Sequence, residues 1–491
     1  MTTPVVLAID LGTSELKAGL VGVDGSVEAM ARVPYPTEHA EGRAEQDPEA
    51  WWAALVDATA RLHALADPGL EVVAVCPVAH GPTCVAVDGS GAATRPAIAW
   101  LDRRSSAESA ELAEATGLPI WLLGILPAAL WIERNEPEAA ARTVAYLAAW
   151  EWLGLRLSGT AAMTVGTDQA VPGRRVLDAL GLPSERVPTA VAPGAVLGGL
   201  TARAAGDLGL PSGTPVVAGL NDAYASILGA GLLEPGDAID TGGSSGGFAV
   251  LAAERPDIPG AWVAAAPLPG RWLAGGAMAT TGAAFDWLVD EVLDGLDPDL
   301  LLDEAAAVPA GADGLVFLPY LAGERSPIWD PLARGAFVGL TLGHGRGHLA
   351  RAVLEGAAHA LRHVADPIRA AGFPVNGLRV SGGNTRSHLW NHIKADILGV
   401  PVAVPEVPDT AMLGAAVLGA TGVGAHVDLP AAIGAMVRMA ERIEPDPATR
   451  AVHEARHATY RSLYPALRDA MHELGDAPAG SSAPGSDASG R

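Results

Sequence analysis

Ala-Ile-Asp-Leu-Gly-Thr-Ser at residues 8–14 returns 230 positions later as Ala-Ile-Asp-Thr-Gly-Gly-Ser at residues 238–244. Five of the seven positions are identical, and Asp10 answers to Asp240. Each copy follows an apolar run or a turn (Glu234-Pro235-Gly236-Asp237) and leads into a second apolar stretch, KAGLVGV or GFAVLAA. That pattern predicts a strand, a tight glycine-containing turn and a returning strand in both places. A spacing of 230 is far too long for a solenoid repeat, so it points to duplication of a whole domain.

Outward from the two copies, strand and helix signals alternate. Asp47-Pro48 opens a helix over EAWWAALVDATARLHALA, with Asp47 as N-cap. EVVAVCPV (71–78) and VVAGL (216–220) read as buried strands. In the second half a helix begins at Gly282, GLVFLPYL (314–321) reads as a strand and HLARAVLEGAAHALRHVADPI (348–368) as a long helix. GLRVSGG (377–383) is a strand ending in glycines, followed by a helix through Trp390, the strand VPVAVP (400–405) and the helix AMLGAAVLGA (411–420). The chain is therefore α/β in two halves, 1–235 and 236–473. The Pro/Gly/Ser/Ala-rich stretch 474–491 is expected to be a disordered tail.

Composition narrows the partners. Of 491 residues, 49% are hydrophobic and 18% charged, enough apolar surface for packed cores. Thirty-two basic against 56 acidic residues give a formal charge of −24, which argues against nucleic acid as a partner. The positive mean hydropathy of +0.25 comes from dispersed Ala, Gly, Val and Leu, and no apolar run reaches the roughly 18 residues of a membrane span. The start, MTTPVVLAIDLGTSELK, lacks the basic region of a signal peptide. Cys76 and Cys84 form no metal pattern, and a reduced cytoplasm is the simplest location. The only lysines, Lys17 and Lys394, read as a consequence of arginine-biased composition.

An Asp-x-Gly-Thr-Ser turn between strands points amide N–H groups and two hydroxyls into one concavity, which suits phosphate. Asp10, at the end of its strand, can hold a divalent cation that bridges phosphates. Either turn alone reads equally as an ordinary hairpin. Two related copies favour phosphate, because facing turns can clamp a polyphosphate from both sides. There is no G-x-x-x-x-G-K-[ST], so the chain is not a P-loop enzyme.

Several further segments then fall in a known order: DLGTSELK (10–17), EQDPEAWW (45–52), HGPTCVAVD (80–88), RPAIAWLDRR (95–104), VVAGLNDA (216–223), FLPYLAGERSPIWDPLARGAFVGL (317–340) and SGGNTRSHLW (381–390). On these the chain resembles the FGGY carbohydrate kinases, xylulokinases most of all, from about Val5 to Leu463. The resemblance implies two ribonuclease-H-like domains of the actin, Hsp70 and hexokinase type around a cleft for ATP and a sugar.

What the resemblance implies for the residues is specific. Asp222 is the general base that takes the proton of the sugar hydroxyl, although Asn221-Asp222 also suits a helix N-cap. Asp10 is the Mg²⁺ partner, with Asp222 contributing across the cleft. Gly12, Thr13 and Ser14 lie at the ATP phosphates, and Gly242, Gly243 and Ser244 form the second phosphate loop. Gly382, Gly383 and Asn384 pack against the adenosine. His80 binds a sugar hydroxyl and Trp100 walls the sugar pocket, core packing being the competing reading for both. The implied partner is a small ketose such as D-xylulose, or another sugar, polyol or aldonate. No membrane partner is implied, and a homodimer is common in the family. Two departures bear on the site: Gly243 stands where the family has Thr, and Val78 where xylulokinases have a Gln that touches the sugar. A non-catalytic binding protein and an actin-like ATPase scaffold are the rival classes.

Overall fold

The computed structural model describes residues 2–40, 42–165 and 172–476. Both halves carry a central sheet of one plan. In the first, strand Thr3–Leu11 pairs antiparallel with Glu15–Gly22, which pairs antiparallel with Val27–Pro34. On its other side it runs parallel to Leu70–Ala79, which runs parallel to Pro215–Val217. In the second half, Asp237–Asp240, Gly246–Ala252 and Trp272–Met278 repeat the antiparallel series, and Gly377–Val380 and Val402–Pro405 repeat the parallel one. An antiparallel strand closes the parallel edge of each sheet, Val196–Gly199 in one and Met439–Ile443 in the other. The shared order is the duplicated ribonuclease-H-like α/β plan, and Asp10 and Asp240 sit at equivalent places in it.

The first strand reads as a continuous apolar run because helices cover both of its faces. Val5, Leu7, Ile9 and Leu11 pack with Trp51, Leu55 and Leu62 of helix Pro48–Leu65. Val6 and Ala8 face the other way, onto helices Asp222–Gly229 and Thr410–Gly422. Helix Thr410–Gly422 belongs to the second half by sequence but packs on the first sheet, in a cluster that also holds Ile239, Ala249 and Leu251. One apolar cluster thus joins the two halves.

Several sequence expectations need correction. VVAGL is a strand only through Val217. At Gly219 any Cβ would collide with the Pro77 carbonyl, so the chain passes tight against its neighbour before pairing again at Ala79–Asn221. GLVFLPYL yields only the short strand Val316–Leu318. A five-stranded sheet of Glu38–Ala40, Arg43–Gln46, Ala97–Ile98, Cys84–Val87 and Ala145–Ala148 was not anticipated. The last helix, Arg450–Asp476, runs into the stretch read as tail, and 477–491 lie outside the described residues. Cys76 and Cys84 are free and buried. Among the described residues no helix is long and apolar enough to cross a membrane.

Helices Arg346–Ala370 and Arg450–Asp476 bury His359, His453 and His457 between them. His457 Nε2 lies 2.8 Å from Asp366, but among the described residues His359 Nε2 and both nitrogens of His453 have no hydrogen-bond partner. Burial first, then neighbouring cations, holds His359 well below its ordinary value, and burial lowers His453 and takes His363 to about 4. Between roughly pH 6.5 and 4 the unfolded chain binds protons at these histidines that the folded one refuses, so their contribution to stability falls as the pH falls through that window. Asp222, Glu151 and Glu324, raised by burial to about 7, contribute in the opposite sense. The thermal midpoint of His359→Leu should therefore gain on the parent's as the pH is lowered from 7 to 5.

Candidate active site

Parallel strands deliver their carboxyl ends to one edge of a sheet, where ligands bind in open α/β folds. Here Leu11 pairs with Ala79, the His80 amide donates to the Leu11 carbonyl at 2.8 Å, and the Ala79 amide donates to the Leu220 carbonyl at 3.3 Å. Asp10, His80 and Asp222 therefore emerge from three successive strand ends.

The two readings of Asn221-Asp222 overlap. Asn221 is the N-cap, its side chain accepting from the Ala223 amide at 3.0 Å, and Asp222, which opens helix Asp222–Gly229, accepts from the same amide at 2.7 Å. Asp222 is half-buried. Desolvation, and then the Asp10 carboxylate, pushes it up to about 7. Its helix is held close to Thr410–Gly422, because Gly229 and Gly414 meet the partner helix backbone where a Cβ would clash.

Asp10 is almost fully buried, and among the described residues its Oδ1 has no hydrogen-bond partner. Lys17 lies 3.6 Å from Oδ2 and 3.2 Å from Asp409, which also pairs with Arg32 at 2.7 Å. Burial raises Asp10 above the ordinary carboxylate value despite Lys17.

The first loop turns at Gly12–Glu15, the Gly12 amide donating to the Glu15 carbonyl at 3.0 Å. Among the described residues the Thr13 and Ser14 amides make no hydrogen bond, and Ser14 is exposed. Sequence reasoning missed what fixes this loop. Gln46, buried, donates to the Thr13 carbonyl at 2.9 Å, and the Tyr35 hydroxyl donates to the Gly12 carbonyl. The one available signal was EQDPEAWW itself, which contains Gln46.

His80 is buried against the edge of Trp51. Its Nδ1 bonds Thr83 at 2.9 Å, Nε2 has no partner among the described residues, and burial lowers it to about 4, so it is neutral at pH 7. Trp100 is partly exposed and ties this side to the Gly12–Glu15 loop, its indole N–H donating to the Thr13 hydroxyl at 3.0 Å. Val78 is fully buried and pairs with Asp10 across the parallel strands, while His80 packs against Trp51.

In the second loop, Gly242 and Gly243 have φ of +64° and +96°. The second value explains the glycine that stands in place of threonine, since a β-branched residue is strained there. The Gly243 and Ser244 carbonyls are tied back by the amides of Thr281, Gly282 and Ala283. Among the described residues the amides of Gly243, Ser244 and Ser245 make no hydrogen bond. Gly382 comes close to this loop, a Cβ on it lying 3.8 Å from the Gly243 nitrogen. Its own amide donates to the Pro408 carbonyl at 3.1 Å, and Gly383 is exposed beside it. Asn384 follows in the turn Gly382–Arg386, and its side chain lies outside the described residues.

Models of the FGGY family of carbohydrate kinases match the chain twice, the N-terminal domain over residues 5–229 and the C-terminal domain over 238–423. Xylulose kinase of Escherichia coli K12 is 30% identical over 95% of this chain and 99% of its own. Gluconokinase of Bacillus subtilis 168 is 29% identical over 86% of this chain and 88% of its own. The crystal structure of xylulose kinase from Rhodospirillum rubrum superposes with a TM-score of 0.84 at 33% identity, covering 95% of this chain and all of the other. With both domain models matched around these strand ends, the chain belongs to the FGGY family of carbohydrate kinases and is a phosphotransferase.

Proposed function

We propose that the protein transfers the γ-phosphoryl group of ATP to a hydroxyl of a small ketose, polyol or aldonate in the cytoplasm, with D-xylulose the first candidate. The observation that carries this reading is the pair Asp222 and Asp10. One carboxyl is poised near neutrality beside another with an unpartnered oxygen.

Phosphoryl transfer needs positioning and charge neutralisation more than covalent help. A base with a pKa near the working pH combines adequate basicity with correct protonation, and Asp222 meets that condition. It holds the acceptor hydroxyl and takes its proton at a carboxylate oxygen. His80, neutral and with Nε2 unpaired, bonds a second hydroxyl of the same small molecule. The unpaired amides of Thr13, Ser14, Gly243, Ser244 and Ser245 receive phosphate oxygens, and the Ser14 and Ser244 hydroxyls lie beside them. Gly382 and Gly383 give the adenosine a backbone surface.

The residues also fit Mg²⁺. Among the described residues no three His, Cys, Asp or Glu side chains group to hold a metal alone. Mg²⁺ suits such a site, since it keeps waters and takes one or two carboxylates plus substrate phosphates. Asp10 Oδ1 is the open protein ligand, with Asp222 across the cleft. Bound there, the cation would neutralise phosphate charge.

The relatives named for xylulose and for gluconate support a linear, hydroxyl-rich acceptor. Burying an unpaired polar group costs about 1–3 kcal/mol, so discrimination should follow hydroxyl configuration. The test is ADP release with Mg·ATP across D-xylulose, L-xylulose, ribulose, arabitol, glycerol and gluconate. D-Xylulose is expected to give the highest kcat/KM. If it is inert while another is phosphorylated, the kinase reading stands and the xylulose assignment falls.

A further inference from the structure

The chain's two lysines are not scattered as compositional bias would leave them. Each sits on the aspartate of one repeat copy: Lys17 on Asp10 at 3.6 Å and Lys394 on Asp240 at 2.7 Å. The two pairs have diverged. Lys17 lies directly across the hairpin from Asp10, shares its charge with Asp409 and leaves Asp10 Oδ1 open. Lys394 comes from helix His388–Leu398, which follows the Gly382–Arg386 turn, and takes Asp240 Oδ2 while the Gly242 amide donates to Oδ1 at 3.1 Å. Lys394 and Asp240 are both buried, and the ammonium also lies 4.6 Å from the Trp390 ring.

A buried ion pair is weak support for stability, because well-packed apolar residues in its place serve as well or better. Its placement suggests another role. Asp240 ends the strand that opens into the second phosphate loop, and its carboxylate fixes the first amide of that loop. Without a cation, a sealed carboxylate beneath the loop would repel the phosphates that the next three amides are free to bind. The lysine arrives from the element that also carries the Gly382–Gly383 turn.

We propose that Lys394 is a positioning residue for the nucleotide: through Asp240 it sets the charge and shape of the second phosphate loop and ties that loop to the Gly382–Gly383 turn. This rests on the reading of both segments as the ATP site. Among the described residues one copy of the duplicated aspartate is thereby left with an unpartnered oxygen, and the other is closed off as part of the loop's foundation.

The test compares the parent, Lys394→Met and the double variant Asp240→Asn/Lys394→Met in steady-state kinetics and in Mg·ATP binding by calorimetry. Lys394→Met should raise the KM and Kd for ATP about tenfold or more with the sugar KM little changed. The double variant, which removes both charges, should recover ATP affinity to within about threefold of the parent, the signature of coupled residues. A folded Lys394→Met with unchanged ATP affinity overturns the proposal, as does a parallel rise in both KM values. If Lys394→Met does not fold, the double variant decides: ATP affinity near the parent supports the proposal, and a folded double variant with tenfold weaker ATP binding rejects it. A parent that binds no nucleotide brings down the functional reading and this proposal together. A parent that binds ATP, with variants that do not separate, brings down the proposal alone.

Discussion

Replacing Asp222 by Asn should lower sugar-dependent turnover by about two to four orders of magnitude, the range for a positioned general base. The ATP KM should stay close to the parent value, because the carboxylate acts on the acceptor. Asn221 remains as the helix cap in this variant, and the new amide oxygen can still accept from the Ala223 amide as the carboxylate does, so the helix start is kept. Stability should in fact rise slightly above pH 7. Asp222 is pushed from the ordinary aspartate value up to about 7, chiefly by desolvation, so its ionised form is disfavoured in the folded state. A group raised in this way carries its full penalty above about pH 7 and sheds it progressively as the pH falls from there toward the ordinary aspartate value. The same shift predicts an acidic limb with an apparent pKa near 7 in the parent's kcat/KM for the sugar. Full turnover in a folded Asp222→Asn protein would remove the residue from the chemistry.

The second large effect is expected at Asp10. Asp10→Ala should weaken Mg·ATP binding and reduce kcat/KM by about two to three orders of magnitude, comparable to deleting one preorganised electrostatic group. Lys17 would keep Asp409 as its partner, so the hairpin is not left with an unpaired ammonium. The discriminating measurement is a Mg²⁺ titration of turnover at fixed ATP. The variant should need far more Mg²⁺ for half-maximal rate, and a requirement identical to the parent's would place the cation elsewhere.

How far these residues were readable from sequence depends on the range of the interactions that place them. The repeated Ala-Ile-Asp turns, the Asp47 cap and the long helix from 346 are local signals, and the duplicated sheets followed from them. Asp222, His80 and the glycine loops were legible because each ends a strand or makes a turn. The supports of the site were not. Gln46 beneath Thr13, Arg32 on Asp409 and Lys394 on Asp240 join residues far apart in the chain, and no spacing records such pairs.

The scarcity of lysine turns the first repeat into a reporter. An amine-acylating reagent finds two ε-amino groups in the chain, and that of Lys394 is sealed from solvent. Lys17, about a fifth exposed, is the ε-amine open to modification. The α-amine of the chain reacts as well, but after digestion an acylated peptide bearing Lys17 marks the ammonium beside Asp10, and a ligand filling that loop would shield it. Peptide-level footprinting would then read occupancy of the cleft without coupling to turnover.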